Sequence, residues 1–233
     1  MWYKIKRIMI WDKQVRPYRY NPWSNTLLYL PLEKDSLDYS GNNISTTPSN
    51  ITYASLWWVM CANANGSSSK IELSEFFTSW ITAGTISFFR YFTWTQFSWA
   101  YYNLFYFRTQ YCFTWADIRE NGSKFDAYIV NGSWDTTLTS NYSNIWKNLI
   151  LTFWDGKLNA FIDWVKVKTD ITCNNNRWPQ SWWDTRYVFR WSPVSPGNRW
   201  KWWARELLLE KRKRTDDECV NYYNNMKSQL WIS

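Results

Sequence analysis

The stretch Leu158-Asn159-Ala160-Phe161-Ile162-Asp163-Trp164-Val165-Lys166-Val167-Lys168 decides the fold. Both flanks read as short strands, and two such runs separated by two residues close a β-hairpin. A turn that tight takes left-handed backbone, for which Asp-Gly is well suited. Here Asp163 is followed by Trp, whose Cβ costs about 1–2 kcal/mol in that geometry.

Working outward, the run Ile145-Trp146-Lys147-Asn148-Leu149-Ile150-Leu151-Thr152-Phe153 reads as the strand before this hairpin, with Trp146 as a core aromatic. Further strands are predicted over Thr26 to Leu32, Lys70 to Leu73, Thr85 to Tyr91, Tyr101 to Arg108, Phe125 to Val130, Tyr187 to Phe189 and Ala204 to Glu210. With Leu149 to Phe153, Leu158 to Ile162 and Val165 to Thr169 they make an all-β chain punctuated by Asn- and Asp-rich loops. One helix is announced by Thr215-Asp216-Asp217-Glu218, a capping box in which Thr215 and Glu218 each satisfy a backbone amide. It is predicted to run to about Lys227, with Val220, Tyr223 and Met226 as a stripe closing an edge or end of the sandwich. Residues 1–24, with Arg16-Pro17 and Asn21-Pro22, read as a basic N-terminal arm, and residues 25–233 as one β-sandwich domain.

Tryptophan is overabundant: the 233 residues hold 21 Trp against 7 Gly. Several stand where turns call for glycine, among them Trp11, Trp94, Trp134, Trp164, Trp191 and Trp200. Returning about half of the Trp positions to Gly restores the usual glycine share of about 7%. That is the pattern left when a gene that reads UGA as glycine is translated with UGA as tryptophan. In a literal chain, exposed indoles at Trp94, Trp134 and Trp191 are instead sugar platforms.

The absence of His removes Ser-His-Asp and Cys-His catalysis and imidazole zinc sites. Cys61, Cys112, Cys173 and Cys219 form no C-x-x-C pair and read as free, buried thiols. The excess of 27 Lys and Arg over 19 Asp and Glu favours anionic partners. The charges are dispersed apart from Lys211-Arg212-Lys213-Arg214, which reads as a solvated face, so nucleic acid is disfavoured as a partner. The N-terminus lacks the apolar core and cleavage site of a Sec signal, and the uncharged run Tyr91 to Phe107 is too short and polar to span a membrane. A virion-associated or cell-surface, extracellular location is the expectation.

Leu28-Tyr29-Leu30-Pro31-Leu32, Asp38-Tyr39-Ser40-Gly41-Asn42 and Asn65-Gly66-Ser67-Ser68-Ser69-Lys70-Ile71-Glu72-Leu73 resemble the opening of concanavalin A-like lectin/glucanase domains of the laminin G-like type. Thr85-Ile86-Ser87-Phe88-Phe89, the Thr152-Phe153-Trp154-Asp155-Gly156 hairpin, Ile162-Asp163-Trp164-Val165, and the finish from Ala204 through Glu218 follow in the family's order. The resemblance covers about residues 25 to 228 and implies a jelly-roll of two antiparallel sheets. It implies a non-catalytic, lectin-like module binding a glycan, an envelope polymer or a protein surface. Such a module would bind through its rim loops, with Tyr101, Tyr102, Trp115 and Tyr142 as the candidate stacking residues where exposed. The alternative is a structural subunit of a phage tail or surface appendage that uses the sandwich for assembly. Hydrolysis would need paired carboxylates at glycosidase spacing, and the nearest approach, Asp117-Ile118-Arg119-Glu120, puts its two acids three apart, on opposite strand faces. No cofactor is implied except a structural Ca²⁺ that some relatives hold, for which Asp38, Ser40 and Asn42 offer oxygens; the same residues also suit an Asx-rich turn bonded to its own backbone.

Overall fold

The computed structural model describes residues 25–56, 59–65, 69–73, 82–92, 101–108, 113–121, 124–128, 137–141, 145–172, 187–191 and 201–230. The arm at 1–24, Trp11, Trp94, Trp134 and Trp200, Cys112 and Cys173, and Tyr142 lie outside them. Within them the chain runs β1 (Thr26–Leu30), β2 (Thr46–Ser49), β3 (Ile51–Leu56), β4 (Val59–Asn65), β5 (Lys70–Leu73), β6 (Ala83–Phe92), β7 (Tyr101–Arg108) and β8 (Phe113–Asn121). It continues through β9 (Lys124–Tyr128), β10 (Thr137–Asn141), β11 (Ile145–Trp154), β12 (Lys157–Ile162), β13 (Val165–Thr172), β14 (Tyr187–Trp191), β15 (Lys201–Glu210) and a helix, α1 (Asp216–Leu230).

The strands form two antiparallel sheets. One has the order β13-β12-β11-β6-β15-β4-β3, with β1 also paired to β15; the other has the order β10-β9-β8-β7-β14-β5-β2. The long strand β15 makes the first arrangement possible, because it pairs with β6 along one edge and with β4 and then β1 along the other. This is the two-sheet jelly-roll sandwich expected from the sequence. Each strand of the ten expected is present, and β2, β3, β4, β8 and β10 are additional. Their signals are weak for identifiable reasons. β2 carries Pro48, tolerated because the strand lies at a sheet edge, and β4 places Ala62 and Ala64 where larger apolar residues would have marked the pattern.

The first sheet is covered on both faces. Leu28, Leu30, Ile86, Phe88, Leu149, Leu151, Phe153, Leu207 and Leu209 form one core with Ile71 and Leu73 of the second sheet. Their strand neighbours Tyr29, Phe89, Tyr91, Trp146, Ile150 and Leu208 pack instead with Cys219, Tyr222, Tyr223 and Met226 of α1. A strand buried on both faces shows an unbroken apolar run rather than alternation. Leu149-Ile150-Leu151 and Leu207-Leu208-Leu209 are such runs.

The helix therefore lies across the outer face of the sheet, not at an edge or end. Its buried stripe is Cys219, Tyr222, Tyr223 and Met226, spaced at the three- and four-residue intervals of a helix face, while Val220 is half-buried beside it. The capping box is formed as expected: the Glu218 amide donates to Thr215 Oγ1 at 3.2 Å, and the Thr215 amide donates to Glu218 Oε2 at 2.8 Å. Trp146 is buried and meets Tyr91 edge-on, with ring centroids 5.6 Å apart.

Candidate functional site

The hairpin read first from the sequence carries the most exposed aromatic residue among the described large apolar side chains. Ile162 pairs with Val165, so Asp163 and Trp164 form the two-residue turn. The left-handed residue is Asp163, with φ 57°, and Trp164 is not in that region. The other hairpin on β12 uses Asp155-Gly156, with both residues left-handed at φ 43° and 74°.

Asp163 fastens the turn to β11. Its amide donates to Asn148 O at 2.9 Å, its Oδ1 accepts from the Asn148 amide at 3.1 Å, and its Oδ2 meets Lys147 Nζ at 2.5 Å. The anchor leaves Trp164 55% exposed, next to the exposed Val165. One side of the indole leans on Tyr223 of α1, with centroids 5.8 Å apart, and Lys166 reaches Asp216 at the start of the helix at 2.8 Å. An indole held half-exposed by a pinned turn is chemically suited to stacking against the apolar face of a sugar.

The residues named from the sequence are spread along the second sheet. Tyr101 and Tyr102 open β7, opposite Arg119 and Ile118. Trp115 lies on β8 opposite Tyr106, five positions further along the same strand pair. These three are strand positions, and the backbone does not bring Trp115 beside the two tyrosines; Tyr142 lies outside the described residues. Trp191 is the last residue of β14, paired with Tyr102. Asp117 and Glu120 both fall inside β8, Asp117 opposite Asn103 and Tyr128, and Glu120 opposite Phe125.

Asp38, Ser40 and Asn42 do come together. Asp38 Oδ1 accepts from the amides of Tyr29 and Ser40, and Oδ2 from Ser40 Oγ at 2.7 Å and the Ile44 amide at 3.1 Å. Asn42 turns its Nδ2 toward the carbonyls of Thr26 and Leu27. The loop thus points three backbone amides and the Ser40 hydroxyl at the Asp38 carboxylate, while the Asn42 NH₂ serves the β1 carbonyls, which is the arrangement of an Asx-rich turn bonded to its own backbone. Its role is to tie the segment after β1 back onto that strand.

A second polar constellation, absent from the sequence reading, lies beneath α1. Glu206 and Glu210 on β15 are buried on the helix side, at 2% and 0% exposure. Tyr222 donates its hydroxyl to Glu206 Oε1, while Arg214 Nε binds Glu210 Oε2 at 2.6 Å and its guanidinium sits 4.3 Å from the Tyr222 ring centroid. Burial pushes the Glu206 carboxyl up to about 7, against the pull of the Tyr222 hydrogen bond and the Arg214 charge. Burial likewise raises the thiols of Cys61 and Cys219 to about 12, so these two free cysteines are protonated at neutral pH. The spacing E-x-x-x-E on a strand was the available signal, since even spacing puts two carboxylates on one face. It does not make an open catalytic pair, because α1 seals both.

The basic run does not form an open cationic face. Arg212 pairs with Glu218 at 2.8 Å, Arg214 with Glu210, and Lys213 Nζ lies over the Trp154 ring at 3.1 Å. Exposed Lys211 completes the run.

No protein-family model matches the chain, and no curated protein is similar to it in sequence. Solved structures are similar in fold. The binding domain of botulinum neurotoxin serotype D superposes with a TM-score of 0.65 at 16% identity over 86% of this chain and 51% of that one. A botulinum neurotoxin type C that interacts with two ganglioside molecules gives 0.62 at 14% identity, over 90% and 53%. The binding domain of Paraclostridial Mosquitocidal Protein 1 gives 0.62 at 15% identity, over 87% and 52%. The chain spans about half the length of each, and at these identities the likeness is one of fold. The neighbours are receptor-binding domains with a lectin-like sandwich, which is the coarse architecture that the laminin G-like motifs imply.

Proposed function

We propose that the protein is a non-catalytic recognition module that binds a glycan of a cell surface or envelope through the Asp163-Trp164 hairpin. The observation that carries this reading is the exposed Trp164 indole on a turn fixed by Asp163, Asn148 and Lys147. It is supported by the fold, since the structural neighbours are receptor- and ganglioside-binding domains rather than enzymes. Lys147 and Lys166 are engaged by Asp163 and Asp216, so the preference for an acidic sugar rests on the formal charge of +8 alone. Placement at a cell surface, outside the producing cell or on a virion follows from this reading.

If the native host reads UGA as glycine and codon 164 is UGA, position 164 carries no indole, and stacking falls to Tyr101, Tyr102 and Tyr142. Mass spectrometry of the native peptide spanning Leu158 to Lys166 identifies the residue after Asp163. Binding is tested on a glycan array with protein that carries Trp164, followed by titration of any hit. Trp164→Ala should weaken a genuine hit at least tenfold, about 1.4 kcal/mol. No binding to any glycan, or equal binding by Trp164→Ala, refutes the hairpin as the glycan site.

A further inference from the structure

The buried constellation between β15 and α1 has a consequence for the helix it holds. Glu206 and Glu210 stand four apart on one face of β15, and the Arg214 guanidinium, the cation facing both, commits its Nε to Glu210. Glu206 is met by a phenol, Tyr222 Oη, which accompanies either protonation state but neutralises neither. An ionised Glu206 would therefore be a sealed carboxylate whose facing cation is already bound to its neighbour, an arrangement that low-dielectric surroundings oppose. Each member of this constellation belongs either to the sheet or to the segment that covers it. Undocking α1 removes Tyr222 and opens Glu206 to water.

We infer that α1 is a proton-linked latch: a proton held by the Glu206–Tyr222–Arg214–Glu210 cluster favours the docked helix, and its loss favours lifting the helix from the sheet. The groups that act on Glu206 are Tyr222 on α1 and Arg214 in the connection; Glu210 on β15 binds that arginine, Tyr29 on β1 acts on that tyrosine, and the thiols of Cys219 on α1 and Cys61 on β4 pack in the same layer. Both thiols are raised by burial, as is the Tyr222 phenol, which leaves Glu206 as the member that titrates near neutrality. Its carboxyl is raised when docked and ordinary when exposed, so docking is strongest at low pH and weakens as pH rises toward and through 7.

Lifting α1 would have two effects. It would uncover the strip formed by Tyr29, Phe89, Tyr91, Trp146, Ile150 and Phe161, and it would remove Tyr223 and Asp216 from behind Trp164 and Lys166. The inference goes beyond the glycan reading and is tested without a glycan.

The test is hydrogen–deuterium exchange on the whole chain at pH 5.5 and pH 8, corrected for intrinsic exchange, with the C-terminal peptides covering 216–230 as the readout. Protection of α1 should fall on the order of tenfold between the two pH values, and Glu206→Gln, which stays neutral, should abolish that fall. Tyr222→Phe keeps the ring and removes the donor to the ionised form, so it should steepen the fall; it is the reserve variant should Glu206→Gln fail to fold. Peptides covering 157–168 should lose protection together with α1, because they hold the Trp164 and Lys166 contacts. The latch is overturned if α1 protection does not change with pH, if Glu206→Gln or Tyr222→Phe shows the same change as the parent, or if the 157–168 peptides stay protected while α1 opens.

Discussion

Replacing Gly84 by alanine should be costly at a position that sequence alone gives no reason to notice. Gly84 lies on β6 opposite Phe153 of β11, whose ring is fully buried and folds over the space where a side chain would stand. A Cβ built there would sit 2.3 Å and 2.8 Å from Phe153 Cζ and Cε1, and 2.6 Å from the backbone oxygen of Glu210 on β15. The ring can yield only by disturbing the core between the sheets. The carbonyl can yield only by shifting β15 against β6 beside the Glu210–Thr85 pairing. Overpacking of a tight core costs about 1–3 kcal/mol, and with backbone hemmed in as well the upper end, about 3 kcal/mol, is expected. For a chain of this length that is a drop in melting temperature on the order of 6–12 °C. Urea denaturation measures the change directly. A double-mutant cycle with Phe153→Ala separates its sources, because removing the ring relieves the first two contacts and leaves the third. The cycle should show a coupling above about 1 kcal/mol with incomplete rescue. A Gly84→Ala protein within about 0.5 kcal/mol of the parent would refute the close approach.

Three further outcomes follow from contacts already described. Thr215→Ala removes the cap that accepts from the Glu218 amide and should cost about 1 kcal/mol in urea denaturation, whereas Thr215→Ser should cost almost nothing. Global stability should decline between about pH 4.5 and pH 7, because Glu206 binds its proton more tightly in the folded chain; the raised carboxyl bounds this contribution at about 3 kcal/mol, and Glu206→Gln should remove it from a stability profile measured against pH. Asp163→Ala removes the carboxylate's bonds to the Asn148 amide and Lys147, keeps the backbone bond to Asn148 O, and should cost about 2–3 kcal/mol, while Asp163→Asn, which keeps an acceptor for the Asn148 amide, should cost less by thermal melting.

Where one face of a strand or hairpin was decided locally, the sequence was readable. The Thr215 to Glu218 box named its own two hydrogen bonds, and the Ile162 to Val165 register follows from counting two residues between strands. Asp155 and Gly156 mark the other β12 turn in the same way. What was not readable depends on what lies across the fold. Nothing near Tyr222 in the chain says that its hydroxyl will meet Glu206, and nothing near Gly84 says that Phe153 will close over it. The candidate site divides along the same line. The turn at Asp163 was legible, but the exposure of Trp164 depends on Tyr223, 59 residues away, and on Asn148 and Lys147. Tyr101 and Tyr102 were legible as the start of a strand, whereas Trp115 was not, because the apolar alternation of Phe113 and Trp115 gives way at once to Asp117.

The position of α1 was nevertheless available from composition, by an argument that starts with the sheet instead of the helix. Leu149-Ile150-Leu151 and Leu207-Leu208-Leu209 leave no polar side for water, so the sheet containing β11 and β15 needs a cover on each face. The second sheet supplies one cover. The other must come from an amphipathic element, and among the described residues α1 is the helix that can provide it. Its tyrosines bring polar hydroxyls into that cover, and β15 answers with Glu206 and Glu210 at positions where an apolar pair would have packed as well. A layer built only to exclude water has no need of buried carboxylates, since well-packed apolar residues of similar volume are commonly neutral or stabilising in their place. Their cost is understandable if the helix is required to respond to its surroundings as well as to cover the sheet.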